Sequence, residues 1–391
     1  MSKKKILPYS RQFISSDDIK NVSKVLNSDF LTQGENVGKF EKKISKIVNS
    51  KYAVATNSAT SSLHLACLAI GLKKGDWLWT SPNSFIASAN CGIYCGARVD
   101  FIDIDLNTYN ISFDKLEEKL KSSKKKKTLP KVIVLVHFAG NPVDIFKIKN
   151  LAKKYKFKII EDASHALGAK TKYNKVGDCK FSDISVFSFH PVKMITTAEG
   201  GLATTNNKFY ADQMKMLRTH GINYNRDNKQ KKFLEPWYFD QQNLGFNYRM
   251  NDVEAALGIS QLRKLKKFVK ERNKISKIYN KRLKNFPLIL PKVEKKSICT
   301  FHLYVIRIDK KKTNRTQRNL YKHFLNSNIK VNVHYIPIYR HSFYKKMGFK
   351  ASNFPNTEEY YSSAISLPVY PSMTKKDLNR VFTSLDDFFY E

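Results

Sequence analysis

Two residues of this chain have the types and the setting to do chemistry together. Asp162 closes the apolar run FKIIED, and Lys193 lies in SVFSFHPVKMITTAEGG, just past the next apolar run. A lysine amine condenses with an aldehyde to form an imine, while a carboxylate at the end of a buried strand holds a ring nitrogen protonated so that the ring accepts electrons. That pairing is what pyridoxal phosphate asks of a protein. The same two residues also suit a surface lysine and an ordinary strand-end aspartate. In a chain so rich in lysine their spacing alone does not separate the two readings.

The flanking residues add detail. Asn57-Ser58-Ala59-Thr60-Ser61 follows an apolar run and opens a helical pattern. Unpaired amides and the positive dipole end of a helix suit a phosphate there, although every strand-to-helix junction of such a fold offers something similar. Phe85, in SPNSFIASAN, is placed to lie flat on an aromatic ring or to serve as a core aromatic. Ser188, shortly before Lys193, can offer its hydroxyl to a phosphate. His165, just after Asp162, can reach ring substituents or orient the acid, and equally suits a structural histidine. His190 reads as packing beside Lys193.

These residues need elements to hold them. YAVATN (52–57), DWLWTS (76–81), RVDFID (98–103), KVIVLVH (131–137), FKIIED (157–162), ISVFSF (184–189) and GLATT (201–205) read as strands. Helix-length segments separate the earlier ones. Leu63, Ala66, Cys67 and Ile70 keep one helical face, as do Ile148, Leu151, Ala152 and Tyr155. Strand runs apolar on both faces, alternating with helices, predict an α/β chain with a mostly parallel sheet covered on both sides. Ligands of such sheets gather at the carboxyl ends of the strands, where Asp162 and Lys193 fall. A long helical segment over 251–285 leads out of this core. FHLYVIRI (301–308), a helix near 314–327 and KVNVHYIPIY (330–339) predict a smaller α+β domain. Ser15 and Asp18 form a capping box for a helix over 16–27. The expected division is an N-terminal segment over 1–30 packing near the small domain, a large domain over 31–260 and a small C-terminal domain over 261–391.

Composition narrows the function classes. The 391 residues allow two domains and a sizeable core, and 42% hydrophobic content is ordinary. Seventy Lys+Arg against thirty-three Asp+Glu give a net charge of +37, which raises the question of nucleic acid. Lysine far outnumbers arginine and is spread over nearly every segment, with no zinc-ligand spacing, RNA-binding aromatic signature or basic heptad helix, so nucleic acid is not expected. The Lys124–Lys127 run reads as a solvated turn. The basic N-terminus lacks the apolar region of a secretory signal, and no window approaches the roughly 18–20 apolar residues of a membrane span. Five cysteines without a framework pattern point to small buried thiols in a reduced cytoplasm rather than disulfides or a metal site.

EDASHALGA, FSFHPVKMITTAEGG, GFNYRMNDVEAALG and SDFLTQG together resemble the sugar-nucleotide aminotransferases of the DegT/DnrJ/EryC1/StrS family, over essentially the whole chain. The resemblance implies the fold type I of pyridoxal-phosphate-dependent aminotransferases, with pyridoxamine phosphate as the form that carries the amino group. It assigns Lys193 as the imine-forming lysine, Asp162 as the ring-nitrogen partner, Phe85 as the stacking residue, Ser188 with the Ala59 and Thr60 amides as the phosphate site, and His165 as neighbour of the ring oxygen. Asn247 matches an asparagine that reaches the phosphate from the other subunit of a homodimer with shared active sites. Tyr9, the run Asp29, Phe30, Leu31 and Thr32, and the run His334, Tyr335, Ile336 and Pro337 lie in segments that line a nucleotide-sugar pocket. Arg249 suits either a carboxylate or phosphate, or a structural ion pair. YSRQ, TTAEGG, NSATS, FHLY and VHYIPIY are similar to the subgroup of pseudaminic acid synthesis, which implies amination at C4 of a UDP-4-keto sugar with L-glutamate as donor. Bacillosamine-type and perosamine-type aminotransferases are the nearest rivals. A 3-dehydratase of the same family would carry histidine where this chain has Lys193. A non-enzymatic regulator or basic nucleic-acid binder is the rival from another class.

Overall fold

The structure is a computed structural model and describes residues 6–223, 235 and 237–390. Seven strands form one sheet: β1 (Tyr52–Thr56), β2 (Trp77–Thr80), β3 (Arg98–Phe101), β4 (Val132–Val136), β5 (Lys158–Asp162), β6 (Ile184–Ser188) and β7 (Gly201–Thr205). Their order is β1-β7-β6-β5-β4-β2-β3. β3, β2, β4, β5 and β6 run parallel, and β7 lies antiparallel to both β6 and β1.

β4 shows why the sequence demands this arrangement. All residues of VIVLV are buried. Val132 and Val134 enter a core with Leu63, Ala66 and Cys67 of the helix Ala59–Ala69, whereas Ile133 and Leu135 enter a second core with Leu116, Ile148 and Leu151. Alternate side chains point to opposite faces of a strand, so a strand buried on both faces must be apolar throughout. Because the central strands are parallel, their carboxyl ends share one edge. Asp162 and Ser188 end β5 and β6 there.

A second, antiparallel sheet joins Leu288–Ile289, Tyr304–Ile308 and Ala364–Leu367. Its core takes Leu320 and Phe324 from the helix Gln317–Asn326 and Val381 and Leu385 from the helix Lys375–Tyr390. Leu7 bridges to Ile329 and enters the same core. The helix Ser16–Leu26 starts on the Ser15–Asp18 capping box and packs against the helix Asp252–Leu262. The five cysteines are free thiols.

Three sequence expectations need correction. The Lys124–Lys127 run is not a turn: Lys124, Lys125 and Lys126 form the last turn of the helix Phe113–Lys126, and Lys127 ends it with a left-handed backbone. Leu116, Leu120 and Ser123 keep the helix's buried face through that region, and cations suit a helix carboxyl end. The pattern over 251–285 is two helices, Asp252–Leu262 and Leu265–Arg282. The segment 330–339, expected to contribute to the smaller α+β domain, forms no strand there, only a bridge from Asn332 to Ser366. That extended segment instead carries His334, Tyr335 and Ile336 to the edge of the large sheet.

Candidate active site

A cavity of about 580 Å³ opens where β5, β6 and the start of the helix Ala59–Ala69 meet the 330s segment. Ala59, Thr60, Phe85, Asp162, His165, Ser188 and Lys193 all line it, joined by Tyr9, His334, Tyr335 and Ile336. Residues spread over most of the chain thus converge on one enclosure.

Asp162 is buried, and its carboxylate is oriented by three donors. Ser88 Oγ, from the helix Ala87–Tyr94, donates to Oδ2 at 2.6 Å. Ser164 donates to Oδ1 through its hydroxyl at 2.5 Å and its backbone N–H at 3.1 Å. Ser84 Oγ stands 2.7 Å from Ser88 Oγ and fixes that hydroxyl in turn. A carboxylate accepts about four hydrogen bonds, so one direction stays open for a further donor.

Lys193 follows β6, its backbone N–H bonded to the His190 carbonyl at 2.9 Å. Its amine makes no hydrogen bond or ion pair among the described residues. Burial lowers its pKa to about 8, against the opposing pull of the Asp162 charge. Five of the nine histidines line the same cavity: His165, His190, His302, His334 and His341. Burial, reinforced by the charge of Lys193, holds His165 well below the usual imidazole range and His334 down to about 3. His302 is likewise depressed by burial, then by the charges of His165 and Lys193. These three imidazoles are neutral at physiological pH.

The helix Ala59–Ala69 is capped by Ser58, whose hydroxyl accepts the Ser61 N–H at 3.1 Å. The Ala59 and Thr60 amides, in the first turn, have no carbonyl of their own helix to bond. β7 passes so close that a Cβ on Gly201 would sit 2.2 Å from the Ser58 carbonyl carbon and 2.4 Å from the Ala59 nitrogen. Phe85 is 56% exposed, which excludes the core-aromatic alternative, and its ring stands at the cavity wall 6.2 Å from that of Tyr335, tilted by 56°.

The set fits pyridoxal phosphate on chemistry and on space. It combines an unpaired amine of lowered pKa, a carboxylate with an open acceptor direction, a helix start with Ser188 nearby, and an exposed aromatic ring. The buried Nδ1 atoms of His165 and His302 have no hydrogen-bond partner, as expected of groups that face a polar ligand.

Other expected residues lie elsewhere within the single chain. Asp29 and Phe30 line a separate hollow of about 420 Å³ beside Ala256 and Ile259, and the Leu31 carbonyl accepts the Asp252 N–H at 2.9 Å. Thr32 lies in the same exposed stretch. Asn247 pairs through its backbone with Thr219. Pro337 sits just beyond the cavity wall, its carbonyl accepting the Arg340 N–H at 2.8 Å. Arg249 lines a different cavity, of about 670 Å³, with Glu41 and Arg218. Sequence reading did not single out Ser84, Ser88, Ser164 or His302. Ser84 and Ser88 flank Phe85 in a motif already noted, and His302 stands in FHLY, but nothing local marks their partners.

The family model described as the DegT/DnrJ/EryC1/StrS aminotransferase family matches residues 12–386. The chain is 41% identical over 381 residues to a UDP-4-amino-4,6-dideoxy-N-acetyl-beta-L-altrosamine transaminase of Campylobacter jejuni, covering 97% of this chain and 96% of that protein. Among solved structures it is similar to Helicobacter pylori PseC, an aminotransferase involved in the biosynthesis of pseudoaminic acid, with TM-score 0.89, 30% identity and coverage of 98% and 99% of the two chains. The pyridoxal-phosphate form of a putative sugar aminotransferase from Streptococcus pneumoniae shares the fold, with TM-score 0.87, 24% identity and 98% coverage of both chains.

Proposed function

Since the chain belongs to the DegT/DnrJ/EryC1/StrS aminotransferase family, we propose that it transfers an amino group from L-glutamate to C4 of a UDP-4-keto-6-deoxy-N-acetylhexosamine. The product would be UDP-4-amino-4,6-dideoxy-N-acetyl-β-L-altrosamine, a precursor of pseudaminic acid. The family is one of pyridoxal-phosphate-dependent nucleotide-sugar aminotransferases. What carries the transamination reading is that Lys193 and Asp162 face one cavity, with the lysine amine unpaired and its pKa near 8. The likeness to the Campylobacter transaminase supports the sugar.

In this reading the Ala59 and Thr60 amides and the Ser188 hydroxyl hold the cofactor phosphate, Asp162 takes the ring N–H, Phe85 covers a ring face and His165 meets the ring oxygen. Bound there, the cofactor supplies an electron sink and a carrier for the amino group. Lys193 does the proton work. Its Nζ takes the proton from the α-carbon of the donor and later delivers one to C4 of the sugar. Burial disfavours the charged amine, so the neutral base is available near neutral pH. Ser84, Ser88 and Ser164 keep Asp162 aimed throughout.

The sugar side is assigned to Tyr9, to His334, Tyr335, Ile336 and Pro337, and to Asp29 through Thr32, with the basic chain favouring an anionic nucleotide. We further propose a homodimer with shared sites. Asn247 and Asp29–Thr32 stand away from their own chain's cavity, as residues serving a partner's site would. The test is to incubate the protein with pyridoxal phosphate, glutamate and a panel of UDP-4-keto sugars and to identify the products by NMR. A bacillosamine-type or perosamine-type product would replace the substrate assignment, and no amination of any member would overturn the reading.

A further inference from the structure

Within the cavity, His165 packs against one aromatic neighbour and is met at one nitrogen by another. Its ring lies 4.3 Å from that of His302, tilted by 37°, and 6.2 Å from that of Tyr335, at 19°. Its Nε2 stands 3.2 Å from Tyr335 Oη, and its buried Nδ1 has no partner. A neutral imidazole carries one proton, on one nitrogen or the other.

Counting donors decides which. If Nε2 carried the proton and donated to Tyr335, the Tyr335 hydroxyl would need another acceptor, and Tyr335 Oη makes no second hydrogen bond among the described residues. His165 Nδ1 would then be a bare acceptor as well, leaving two buried groups unmatched. If instead the tyrosine donates to Nε2, only Nδ1–H, a buried atom of a residue that lines the cavity, waits for a partner. Buried polar groups are paired wherever the fold allows it, so the second arrangement wins. The charged and titratable groups facing this imidazole are Lys193, His334 and His302, with Asp162 beyond. Burial first, then the charge of Lys193, keeps it neutral, so that the question stays one of tautomer.

We propose that Tyr335 is a positioning residue: its hydroxyl donates to His165 Nε2, fixes the imidazole proton on Nδ1, and so presents a buried N–H to the ring oxygen of the bound cofactor. This inference rests on the reading that places His165 at that oxygen. An N–H aimed at the ring oxygen stabilises negative charge there and weakens that oxygen's hold on the imine proton made with Lys193.

The experiment is a pH titration of the visible absorption of the cofactor-loaded enzyme. In Tyr335→Phe the midpoint is expected to rise, by on the order of half a pH unit. The phenyl ring keeps the packing, and the melting temperature of the cofactor-free protein checks the fold. His165→Asn provides the second arm. An asparagine amide nitrogen occupies the position of Nδ1 and needs no partner to fix a tautomer, so this variant should titrate close to wild type, whereas His165→Gln, whose amide reaches the Nε2 position, should be shifted. In the His165→Asn background, Tyr335→Phe should add no further shift. An unshifted Tyr335→Phe enzyme, or an equal shift with and without His165, would overturn the proposal. So would a His165→Asn midpoint moved as far as that of His165→Gln. A wild-type enzyme with no titrating visible band would instead remove the cofactor placement, and the inference with it.

Discussion

Ser88 Oγ lies 2.6 Å from Asp162 Oδ2, and both side chains are buried. The contact joins the helix after β2 to the end of β5, so the orientation of the acid depends on an element far from it in sequence. Hydrogen bonds to ionised groups contribute about 1.5–3 kcal/mol, roughly ten-fold or more in an equilibrium. Ser88→Ala is therefore expected to weaken cofactor binding by at least about ten-fold, while Ser84→Ala, which only steadies Ser88, should weaken it less. Spectrophotometric titration of the cofactor-free protein measures both. Wild-type affinity in Ser88→Ala would show that Ser164 alone aims the acid.

The lowered pKa of Lys193 sets the pH at which the empty protein captures its cofactor. Only the neutral amine attacks an aldehyde, so the capture rate should rise about ten-fold per pH unit below pH 8 and level off above it. The charge of Asp162 opposes the lowering, so Asp162→Asn should move the midpoint further down. Stopped-flow absorbance reads both. A rate still climbing toward pH 10 would mean that the amine is solvated like a surface lysine. Lys193→Ala should lose the visible band and all amination.

Asp18 ties the N-terminal helix to the helix Asp252–Leu262 and the residues just after it. Its buried carboxylate accepts from Lys264 Nζ at 2.9 Å, Gln261 Nε2 at 2.8 Å and the Ser15 N–H at 2.8 Å. Burial would raise its pKa, but the bonds from Lys264 and Ser15 outweigh that and hold it below the usual 3.8. A depressed carboxyl adds stability that is complete above the unfolded value and lost as pH falls through the folded one. Breaking a buried pair costs about 3–5 kcal/mol. Lys264 keeps 19% of its side chain exposed, so the lower end, about 3 kcal/mol, applies to Lys264→Met at neutral pH. Denaturant unfolding should show this deficit at pH 7 and a shrinking one as pH falls through the folded value of Asp18, which lies below 3.8. An undiminished deficit through that fall would mean that lost packing, not charge, is responsible.

What was legible in the sequence follows from how local each signal is. The strands of the large sheet are short apolar runs bounded by polar residues, and β4 or β5 could hardly be anything else. Asp162 and Lys193 could be placed because a parallel sheet collects its strand ends. Ser88 could not be joined to Asp162, nor Tyr335 to His165, since their partners lie 74 and 170 residues away and nothing near them announces the contact. The lysine run at 124–126 misled because charge suggests solvent, and a solvated helix end is as charged as a solvated turn. Over 330–339 the apolar residues share no common face. Val331, His334 and Ile338 are buried in different surroundings, not on one face of a sheet.

Gly201 tests whether the start of the helix Ala59–Ala69 anchors the phosphate. The glycine opens β7, pairs with Thr56 of β1, and lies against the Ser58–Ala59 peptide. In Gly201→Ala the new methyl would stand 2.2 Å from the Ser58 carbonyl carbon and 2.3 Å from its oxygen, far inside contact distance. Neither atom belongs to a flexible side chain, so the peptide itself must move, and the Ala59 and Thr60 amides move with it. Overpacking of this kind costs about 1–3 kcal/mol of stability. The sharper readout is the ratio of affinities for pyridoxal phosphate and for pyridoxal, which differ only in the group these amides are assigned to hold. That ratio should fall by about ten-fold or more if two amides lose their aim at a charged group. A variant that loses stability but keeps the ratio would show that the phosphate is held by other groups, with Ser188 the first to examine.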